Sequence, residues 1–402
     1  MNICIVGATG NVGRKILEVL EKKNFSFNNL YLVASEKSAG KKILFKKKEY
    51  IISNLEEFDF SKCDITFFSA GAKIAEKFAL AFKDLKNSKL ISVASRSKEK
   101  IEKFQNQFKL DHDFCYNDYE KILLNQEIDV IYIALPHSFH FEWIMKCIDN
   151  KKNVLTEKPA TVNHDEIVKI NNSLNKNKIF FAEGFMYRFH PQTLALIQTI
   201  KQGEIGELHQ MDSFFGKNFI QKKNIFGLKK IKINNKNRLF KKDLGGGSIL
   251  DLGCYPSSLS ILIASLKSED FSKKIKLSNI KKIVGPTDVD LEAFTNIEFN
   301  NGFSSFIGSS FKNDLGKNTK IIGSKGKIIV PDSWHCENST IIVNGNERII
   351  DQKYINIFSY EIESISSSLL NNEIEPKFPA IKKHETELNM NILNRWINSN
   401  EK

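Results

Sequence analysis

The stretch from Asp64 to Ala75 constrains the fold of this chain more than any other. Ile65 to Phe68 is an apolar run typical of a central strand, Ser69 to Ala72 are small residues that allow a sharp turn, and a helical pattern follows from Lys73. Such a strand–turn–helix unit places helix-terminal amides where a phosphate binds. The stretch can complete a sheet begun upstream, or it can begin a sheet completed downstream.

The size and charge of the chain limit its class. A length of 402 residues indicates two or three domains, and 41% hydrophobic with 26% charged residues is typical of a soluble globular protein. The net charge is +12, but only six of the 59 basic residues are arginine. Dedicated nucleic-acid readers depend on arginine for bidentate contacts to phosphate and guanine. We therefore expect no nucleic-acid partner.

The cysteines and the apolar runs indicate a cytoplasmic protein. No cysteine forms a C-x-x-C pair or clusters with histidine, so we expect reduced thiols and no metal site. The chain enters a strand at once, without a signal-peptide pattern, and no apolar run reaches the roughly 18 residues of a membrane span. The six cysteines are Cys4, Cys63, Cys115, Cys147, Cys254 and Cys336.

The first 63 residues read as part of a dinucleotide-binding fold. An apolar strand is followed by Gly7, Thr9, Gly10 and Gly13, a spacing that lets backbone approach a pyrophosphate. Together with Ser35 to Lys41 and Asp64 to Gly71, these residues resemble the NADP-binding half of aspartate-semialdehyde dehydrogenase. That family also needs a cysteine nucleophile in an Asn-Cys-x-Thr setting, and none of the cysteines here has it.

The rest of the chain predicts a second α/β region followed by an antiparallel one. Strands at 90–94, 129–134, 153–156 and 179–182 alternate with helices, which indicates a doubly wound parallel sheet with ligands at the carboxyl ends of its strands. Beyond residue 291, runs of alternating polarity separated by hairpin turns predict a mainly antiparallel sheet. The expected domains are a half-Rossmann segment (1–63), a Rossmann domain (64–188) and an α+β substrate or oligomerisation domain (189–402).

Four motifs, which follow one another along the chain, make the part from about residue 64 onward similar to the glucose-fructose oxidoreductase and inositol dehydrogenase family, Gfo/Idh/MocA. They are Ala134-Leu135-Pro136 with His140, Glu157-Lys158-Pro159, Glu183 to Arg188, and Gly245 to Pro256. The spacing from Asp251 to Tyr255 resembles the branch that contains glucose-fructose oxidoreductase and dimeric dihydrodiol dehydrogenase. The resemblance implies hydride transfer between a nicotinamide and a sugar-like substrate, and assembly as a dimer through the open face of the antiparallel sheet.

Lys158, Tyr255 and Asp251 are the candidate catalytic residues. Carbonyl reduction needs a proton donor at the oxygen, and free tyrosine and lysine both titrate near about 10. We expect the Lys158 ammonium to lower the pKa of Tyr255 and to polarise the substrate oxygen. Tyr255 is the predicted proton donor, Lys158 its electrostatic partner or an alternative acid, and Asp251 the orienter of substrate or of Lys158. Plain packing of Tyr255 is the alternative.

Candidate cofactor residues lie mainly at predicted strand ends. Ser95-Arg96-Ser97 has an arginine and no acid, which favours NADP over NAD, although NAD stays possible. His140 can equally be a core histidine, and Arg188 can pair with a carboxylate; His137, His190 and His335 are interpreted as structural. The candidate set is Gly71, Ala72, Lys73, Ile74, Ser95, Arg96, Leu135, Pro136, His140, Glu157, Lys158 and Arg188.

The two sheets compete for the strand at 64–68. A strand has only two edges, so pairing with 90–94 and 129–134 excludes pairing with 2–6. We expect the downstream sheet to take the strand, although Ala72 places a methyl group where backbone should approach pyrophosphate. On this interpretation Gly7, Thr9, Gly10 and Gly13 are a relic cofactor site.

The sequence thus predicts an NADP(H)-dependent oxidoreductase acting on a hydroxyl or carbonyl of a sugar-like small molecule. One alternative is an enzyme like aspartate-semialdehyde dehydrogenase. A second is a dinucleotide-binding sensor or scaffold with an impaired cofactor site. No motif identifies the substrate.

Overall fold

The computed structural model of the protein describes residues 2–6, 17, 29–34, 39–46, 48–54, 65–68, 73–82, 85–224, 227–230, 233 and 237–399. The chain divides into two compact units, Met1–Glu76 and Lys77–Lys402.

The first unit contains a five-stranded sheet. Its strands are β1 (Asn2–Val6), β2 (Asn29–Ala34), β3 (Lys42–Phe45), β4 (Lys48–Asn54) and β5 (Ile65–Phe68). Their order is β3-β4-β2-β1-β5, and all neighbours are parallel except the β3–β4 hairpin. A small hydrophobic core of this unit comprises Leu17, Leu30, Leu32, Phe45 and Ile52.

Strand β5 belongs to this first sheet. Ile3 lies opposite Ile65 and Val6 lies opposite Phe68 in a parallel register. The prediction that this strand pairs with 90–94 and 129–134 is wrong, because β1 already occupies one of its edges and the downstream strands pair elsewhere. The apolar signal of β5 suits a central strand of either sheet, and only tertiary pairing distinguishes the two.

The second unit begins with parallel strands and helices. Strands β6 (Val93–Ala94) and β7 (Cys115–Tyr116) form one pair, and β8 (Val130–Ile133), β9 (Asn153–Glu157) and β10 (Phe181–Gly184) form a sheet of order β10-β9-β8. Side chains such as Ile144 and Ile148 bury one face of their helix at the i, i+4 spacing of an amphipathic helix. The helices of this region are α1 (Lys73–Ala81), α2 (Lys98–Phe108), α3 (Tyr119–Leu124), α4 (His140–Asp149) and α5 (His164–Asn177).

A large sheet follows, with the order β14-β15-β16-β11-β17-β18-β19-β20. It is antiparallel except where β11 and β16 run parallel. Its strands are β11 (Leu208–Gly216), β14 (Ile275–Val284), β15 (Asp290–Phe299), β16 (Ser304–Ser310), β17 (Thr319–Gly323), β18 (Gly326–Val330), β19 (Thr340–Val343) and β20 (Asn346–Ile349). The parallel and antiparallel sheets confirm the predicted fold class.

Four helices accompany the large sheet. They are α6 (Pro191–Lys201), α7 (Cys254–Lys267), α8 (Ile357–Leu370) and α9 (Lys383–Asn398). Helix α7 packs on β11, β16 and α9, and Trp396 of α9 is fully buried. Among the described residues, Lys242–Lys267 is long and apolar enough to cross a membrane, but 89% of its most apolar window is buried, as in a core helix.

The segment at 217–242 is more regular than predicted. Strands β12 (Gln221–Asn224) and β13 (Gly227–Lys230) form an antiparallel ribbon within it. Its Lys- and Asn-rich composition has low β propensity, which explains the expectation of an irregular loop.

Candidate active site

Lys158 lies directly after β9, at the carboxyl end of the parallel sheet. The residue is 8% exposed, and its Nζ donates to the backbone carbonyl of Asp251 at 2.7 Å. The same Nζ lies 3.6 Å from Asp251 Oδ1. The predicted pair of Lys158 and Asp251 is therefore in direct contact.

Asp251 sits in a short π-helix, Ile249–Gly253, that leads into α7. A π-helical turn changes the hydrogen-bond register, and such turns occur frequently at functional sites. Asp290 holds the start of this element, because its Oδ2 accepts hydrogen bonds of 2.7 Å from both Ser248 Oγ and Ile249 N. The carboxylate of β15 thus fixes the helix that carries Asp251 and Tyr255.

The glycines before this helix are required because neighbouring side chains lie too close to the backbone for a Cβ atom. Gly247 has φ +115°, and a Cβ there would lie 2.4 Å from Asp290 Oδ1. Gly245 has φ +71°, and a Cβ there would lie 2.9 Å from His137 Cβ. The Gly245–Gly247 motif therefore lets the helix start against Asp290 and His137.

Three side chains surround one oxygen of Asp251. Arg238 donates to Oδ1 from both terminal nitrogens at 3.3 Å, Lys158 Nζ lies 3.6 Å away, and His137 Nε2 also lies 3.6 Å away. Burial alone would raise the pKa of Asp251, but the cations Lys158 and Arg238 outweigh it and lower the pKa to about 2. Asp251 is therefore a carboxylate at neutral pH.

His137 presents a defined tautomer to this carboxylate. Its Nδ1 lies 2.9 Å from the Gly245 carbonyl oxygen, and a carbonyl only accepts, so Nδ1 carries a proton. Burial outweighs the opposing charge of Asp251 and lowers the pKa of His137 to about 3, so Nε2 carries no proton and makes no hydrogen bond to the carboxylate. Sequence reasoning found no partner for His137, and the structure places its ring beside Asp251.

Tyr255 lies near Lys158 but not in the predicted geometry. The Lys158 ammonium lies 5.0 Å from the centre of the Tyr255 ring, whereas the hydroxyl faces Met186 Sδ at 3.8 Å. Burial, followed by the charge of Glu157, raises the pKa of Tyr255 well above its usual value. The expectation that this pKa is lowered is wrong, because burial is the largest influence on the hydroxyl and it disfavours the phenolate.

The Tyr255 ring packs among other aromatic side chains, as the alternative of plain packing expects. Its hydroxyl has only a weak hydrogen-bond partner. Aromatic side chains surround the ring, and a thioether is a poor hydrogen-bond acceptor. The proton of the hydroxyl can therefore turn to a better acceptor at low cost. The surrounding residues are Phe185, Tyr187, Phe215 and Trp334.

Glu157 is buried beside another tyrosine. The Tyr132 hydroxyl donates to Glu157 Oε1 at 2.5 Å, and burial raises the pKa of the carboxyl group. The Tyr132 ring stacks on Phe78 of α1 at 3.7 Å between centroids. The Glu157 carboxyl group thus lies inside the second unit beside Tyr132. Its contact with a cofactor stays a prediction.

His140 and Arg188 both have partners within the protein, and their cofactor contacts stay predictions. The two ring nitrogens of His140 lie 2.8 and 2.9 Å from the carbonyl oxygens of Pro159 and Leu135. Arg188 is fully buried; it donates to Ser258 Oγ at 3.1 Å and to Glu385 Oε2 at 3.4 Å. His140 therefore links the segment that follows β8 to the segment that follows β9, next to Lys158.

The other predicted cofactor residues divide into two groups. Ser95 and Arg96 follow β6 directly, and Leu135 and Pro136 follow β8. Gly71 and Ala72, and the relic set Gly7, Thr9, Gly10 and Gly13, lie outside the described residues. Lys73 and Ile74 open α1, but their side chains lie outside the described part of the chain.

Comparison with known proteins places the second unit in a family. Residues 65–185 match the family model of oxidoreductases with an NAD-binding Rossmann fold, and residues 193–329 match the GFO/IDH/MocA C-terminal domain. Together the two models cover more than half of the chain. Most of this chain belongs to the GFO/IDH/MocA family of oxidoreductases. The Gfo/Idh/MocA resemblance drawn from the four sequence motifs is confirmed.

Individual proteins of this kind are similar to this chain over most of its length. Trans-1,2-dihydrobenzene-1,2-diol dehydrogenase of Xenopus tropicalis is 27% identical over 314 residues, which are 75% of this chain and 88% of that protein. A 3-ketoreductase from Actinomadura kijaniata, solved with NADP and TDP-benzene, superposes with a TM-score of 0.66 at 18% identity. The superposition covers 81% of this chain and 94% of that one. The GFO/IDH/MocA members are NAD(P)-dependent oxidoreductases that act on hydroxyl or carbonyl groups.

The beginning of the chain matches a different family. Residues 2–98 match the NAD-binding domain of semialdehyde dehydrogenases. Aspartate-semialdehyde dehydrogenase of Rickettsia bellii is 49% identical over 77 residues, but these are only 23% of that enzyme. The two family models overlap at 65–98, which includes β5, the strand that both sequence interpretations claim.

The described cysteines do not resemble the nucleophile of a semialdehyde dehydrogenase. Burial raises the pKa of Cys115, and it raises that of Cys147 to about 12. Burial also raises the pKa of Cys254 and Cys336. A reactive thiol needs the opposite shift.

Arg238 contacts Asp251, and sequence reasoning did not include it among the candidate site residues. It lies at the end of a Lys/Asn-rich segment, in a short 3-10 helix whose N-cap is Asn237. No local motif marks it. The only available signal is that arginine is rare in this chain, with six in 402 residues.

Proposed function

We propose that this protein uses NADP(H) to transfer a hydride between the nicotinamide and a hydroxyl or carbonyl carbon of a sugar-like small molecule, with Lys158, Tyr255 and Asp251 as its catalytic residues. The convergence of Lys158 and Asp251, with Tyr255 one helical turn further on, carries this proposal. These groups lie at the carboxyl end of a parallel sheet, where ligands bind in open α/β folds. The dehydrogenase and ketoreductase relatives support the same reaction class.

The described residues fit NADP. Ser95 and Arg96 follow β6 with no acidic neighbour, and Ser97 Oγ caps α2 by accepting from Lys100 N at 3.3 Å. Hydroxyl and guanidinium groups suit the 2′-phosphate, whereas an acidic residue suits a free ribose hydroxyl. NADPH supplies the hydride when it is bound, and Ser95 and Arg96 are the residues that we expect to hold its phosphate.

The raised pKa of Tyr255 and the charge of Lys158 determine the proton chemistry of the proposed reaction. Tyr255 keeps its proton at neutral pH, so it acts as a donor towards an oxygen that becomes negative during reduction. The Lys158 ammonium stabilises that oxyanion, in a site where burial strengthens the interaction. Asp251 holds Lys158 through its carbonyl and Arg238 through its carboxylate, and thereby orients the ammonium.

Turnover tests this assignment. We expect Lys158→Ala to reduce NADPH-dependent carbonyl reduction about 1,000-fold and Tyr255→Phe about 100-fold, within the range of electrostatic and acid–base contributions. Lys176→Ala, at an exposed position of α5, is the matched control for Lys158→Ala. Activity unchanged by both active-site substitutions would contradict the assignment, and NADPH binding without any turnover would favour the sensor or scaffold.

The choice between the two glycine turns is a separate question. Gly71→Asp and Gly10→Asp each introduce a carboxylate and a side chain into one candidate turn. The proposed cofactor role of Gly71 and Ala72 predicts that Gly71→Asp abolishes NADPH binding and that Gly10→Asp does not. The opposite result would give the cofactor to the upstream turn.

We also propose that two copies pair through the open face of the large sheet. Phe306 is 36% exposed, and its ring contacts Phe214 and Phe294 on that face. Phe306→Lys should then convert a dimer to a monomer in size-exclusion chromatography with light scattering. A wild-type monomer would contradict the proposal.

A further inference from the structure

Arg238 contacts Asp251 with only part of its hydrogen-bonding capacity. A guanidinium group carries its N–H donors in a rigid planar fork that matches the two oxygens of a carboxylate. Both terminal nitrogens of Arg238 donate instead to one oxygen, Asp251 Oδ1, at 3.3 Å each. Within the described part of the chain Asp251 is the acceptor for this fork, so its other N–H groups are available to a ligand.

Arg348 shows a fully engaged arginine fork in the same protein. Its two terminal nitrogens donate to the two oxygens of Glu204, at 2.8 and 2.5 Å, which is the paired geometry typical of arginine and a carboxylate. The side chains of Arg348 and Arg238 are almost equally exposed, at 41% and 42%. Exposure therefore does not explain why the contact of Arg238 is longer and uses only one carboxylate oxygen.

The guanidinium group of Arg238 lies next to the ammonium group of Lys158. Arg238 Nη2 lies 3.3 Å from Asp251 Oδ1, and Lys158 Nζ lies 3.6 Å from the same oxygen. Because both nitrogens are this close to one atom, a single small molecule can contact both of them at once.

The backbone that carries Arg238 is fixed by packing. Phe240, two residues further on, is buried, and its ring packs against Phe311 at 5.8 Å between centroids. A Cβ atom on Gly246 would lie 2.9 Å from the Arg238 carbonyl oxygen, so the glycine-rich segment before the catalytic helix packs directly against this residue. The position of Arg238 at the site therefore does not depend on its ion pair alone.

The surroundings of Asp251 carry an excess of positive charge. Lys158 and Arg238 contribute two positive charges, and Asp251 is the carboxylate at ion-pair distance from both in the described part of the chain. The lowered pKa of His137 keeps that ring neutral, so it adds no charge. A positive site with low-dielectric walls attracts anionic ligands.

We propose that Arg238 binds a carboxylate of the substrate, whose reacting carbonyl or hydroxyl group lies at Lys158. This inference rests on the proposed function and narrows the substrate from a sugar-like molecule to a sugar acid. A carboxylate suits Arg238 because its two oxygens match the planar fork. Only six of the 59 basic residues of the chain are arginine, so an arginine at this position indicates a need for the fork as well as for the charge.

D-Gluconate and D-glucitol are the binding probes, titrated by calorimetry into the full-length protein saturated with NADPH. They differ at one carbon, a carboxylate in place of a hydroxymethyl group, and neither has a keto or aldehyde group for NADPH to reduce. We expect the wild type to prefer gluconate, and Arg238→Gln to reduce the gluconate-to-glucitol affinity ratio about tenfold or more, since charge-assisted hydrogen bonds are lost. Arg348→Gln is the matched control and should leave the ratio unchanged.

The affinity ratio separates recognition of the carboxylate from an effect through Asp251. If Arg238 only oriented Asp251, Arg238→Gln would change the binding of both probes alike. A ratio unchanged in Arg238→Gln, an equal fall in Arg348→Gln, or a wild type without preference for gluconate would overturn the proposal.

Two further titrations exclude other anionic groups as the ligand of Arg238. D-Glucitol 6-phosphate should bind less tightly than gluconate, and the ratio of NADPH to NADH affinity should be the same in Arg238→Gln and the wild type. Tighter binding of the phosphate that is lost in Arg238→Gln, or a selective loss of NADPH affinity, would assign Arg238 to a phosphoryl group and overturn the proposal.

Failure of the proposed function gives a different result. Carbonyl reduction that survives in Lys158→Ala overturns the catalytic assignment, whereas the gluconate-to-glucitol ratio is measured without turnover and reports on Arg238 alone.

Discussion

Arg238 donates from both terminal guanidinium nitrogens to the same oxygen, Oδ1 of Asp251, at 3.3 Å each. Arg238 is 42% exposed at its side chain, whereas the carboxylate that it contacts is buried. The contact joins a segment without any recognisable motif to the helix that carries the predicted catalytic residues. The orientation of Asp251 therefore depends on a residue outside the family motifs.

Replacement of Arg238 should weaken the site without unfolding it. Arg238→Gln removes one of the two cations that lower the pKa of Asp251, so this pKa should rise and the acid limb of the kcat/KM profile should move to higher pH. We expect about a tenfold loss in kcat/KM at neutral pH. Unchanged kinetics and an unchanged acid limb would show that the contact does not orient Asp251.

His137 should remain neutral over the physiological range. Burial lowers its pKa to about 3, and the Gly245 carbonyl fixes the proton on Nδ1. Nitrogen NMR of histidine-labelled protein should show the Nδ1–H tautomer at pH 7, with His137→Gln providing the assignment. A charged imidazole at that pH would show instead that the charge of Asp251 outweighs burial at this position.

Glu183 should make stability depend on pH. Burial raises its pKa from 4.5 to about 7, and its Oε1 accepts from Ala160 N at 2.9 Å. The unfolded chain loses this proton near pH 4.5, whereas the folded chain retains it to about pH 7. Stability should therefore fall as pH rises through this interval, by on the order of 3 kcal/mol at about 1.4 kcal/mol per pH unit.

Glu183→Gln mimics the protonated acid and tests this dependence. The variant should unfold at higher urea concentration than the wild type at pH 8, and the difference should shrink at pH 5. Exposed Glu120→Gln is the control. An equal gain at both pH values would show that the burial of this carboxyl group is not the cause.

Arg188 should matter for stability more than for cofactor binding. Its guanidinium is fully buried against Ser258 and Glu385, and removal of one member of a buried ion pair costs about 3–5 kcal/mol. Arg188→Met should lower the urea midpoint strongly. A stable variant with weakened NADPH affinity would instead support the predicted cofactor contact.

The sequence predicted what local chemistry determines and missed what tertiary contacts determine. Glu157-Lys158-Pro159 stands out because a polar motif follows an apolar strand, and Lys158 indeed meets Asp251. Arg238 was missed because its partner is 13 residues away across a loop. The predicted lowering of the Tyr255 pKa was wrong because burial raises it, and the spacing along a helix does not reveal how deeply a hydroxyl is buried.

Strand β5 was assigned to the wrong sheet because only tertiary pairing distinguishes the two sheets. A designed crosslink tests its position. In the parallel register Cys4 lies opposite Thr66. Neighbouring strands lie about 4.8 Å apart, within the range of roughly 4.4–6.8 Å between Cα atoms that a disulfide bridges. Thr66→Cys should therefore form a disulfide with Cys4 on mild oxidation, detected by peptide mass mapping. Phe67→Cys shifts the thiol by one position, to the other side of a pleated strand, and should not crosslink. A Thr66→Cys protein that stays reduced would remove β5 from the first sheet, because only pairing with β1 brings these two positions together.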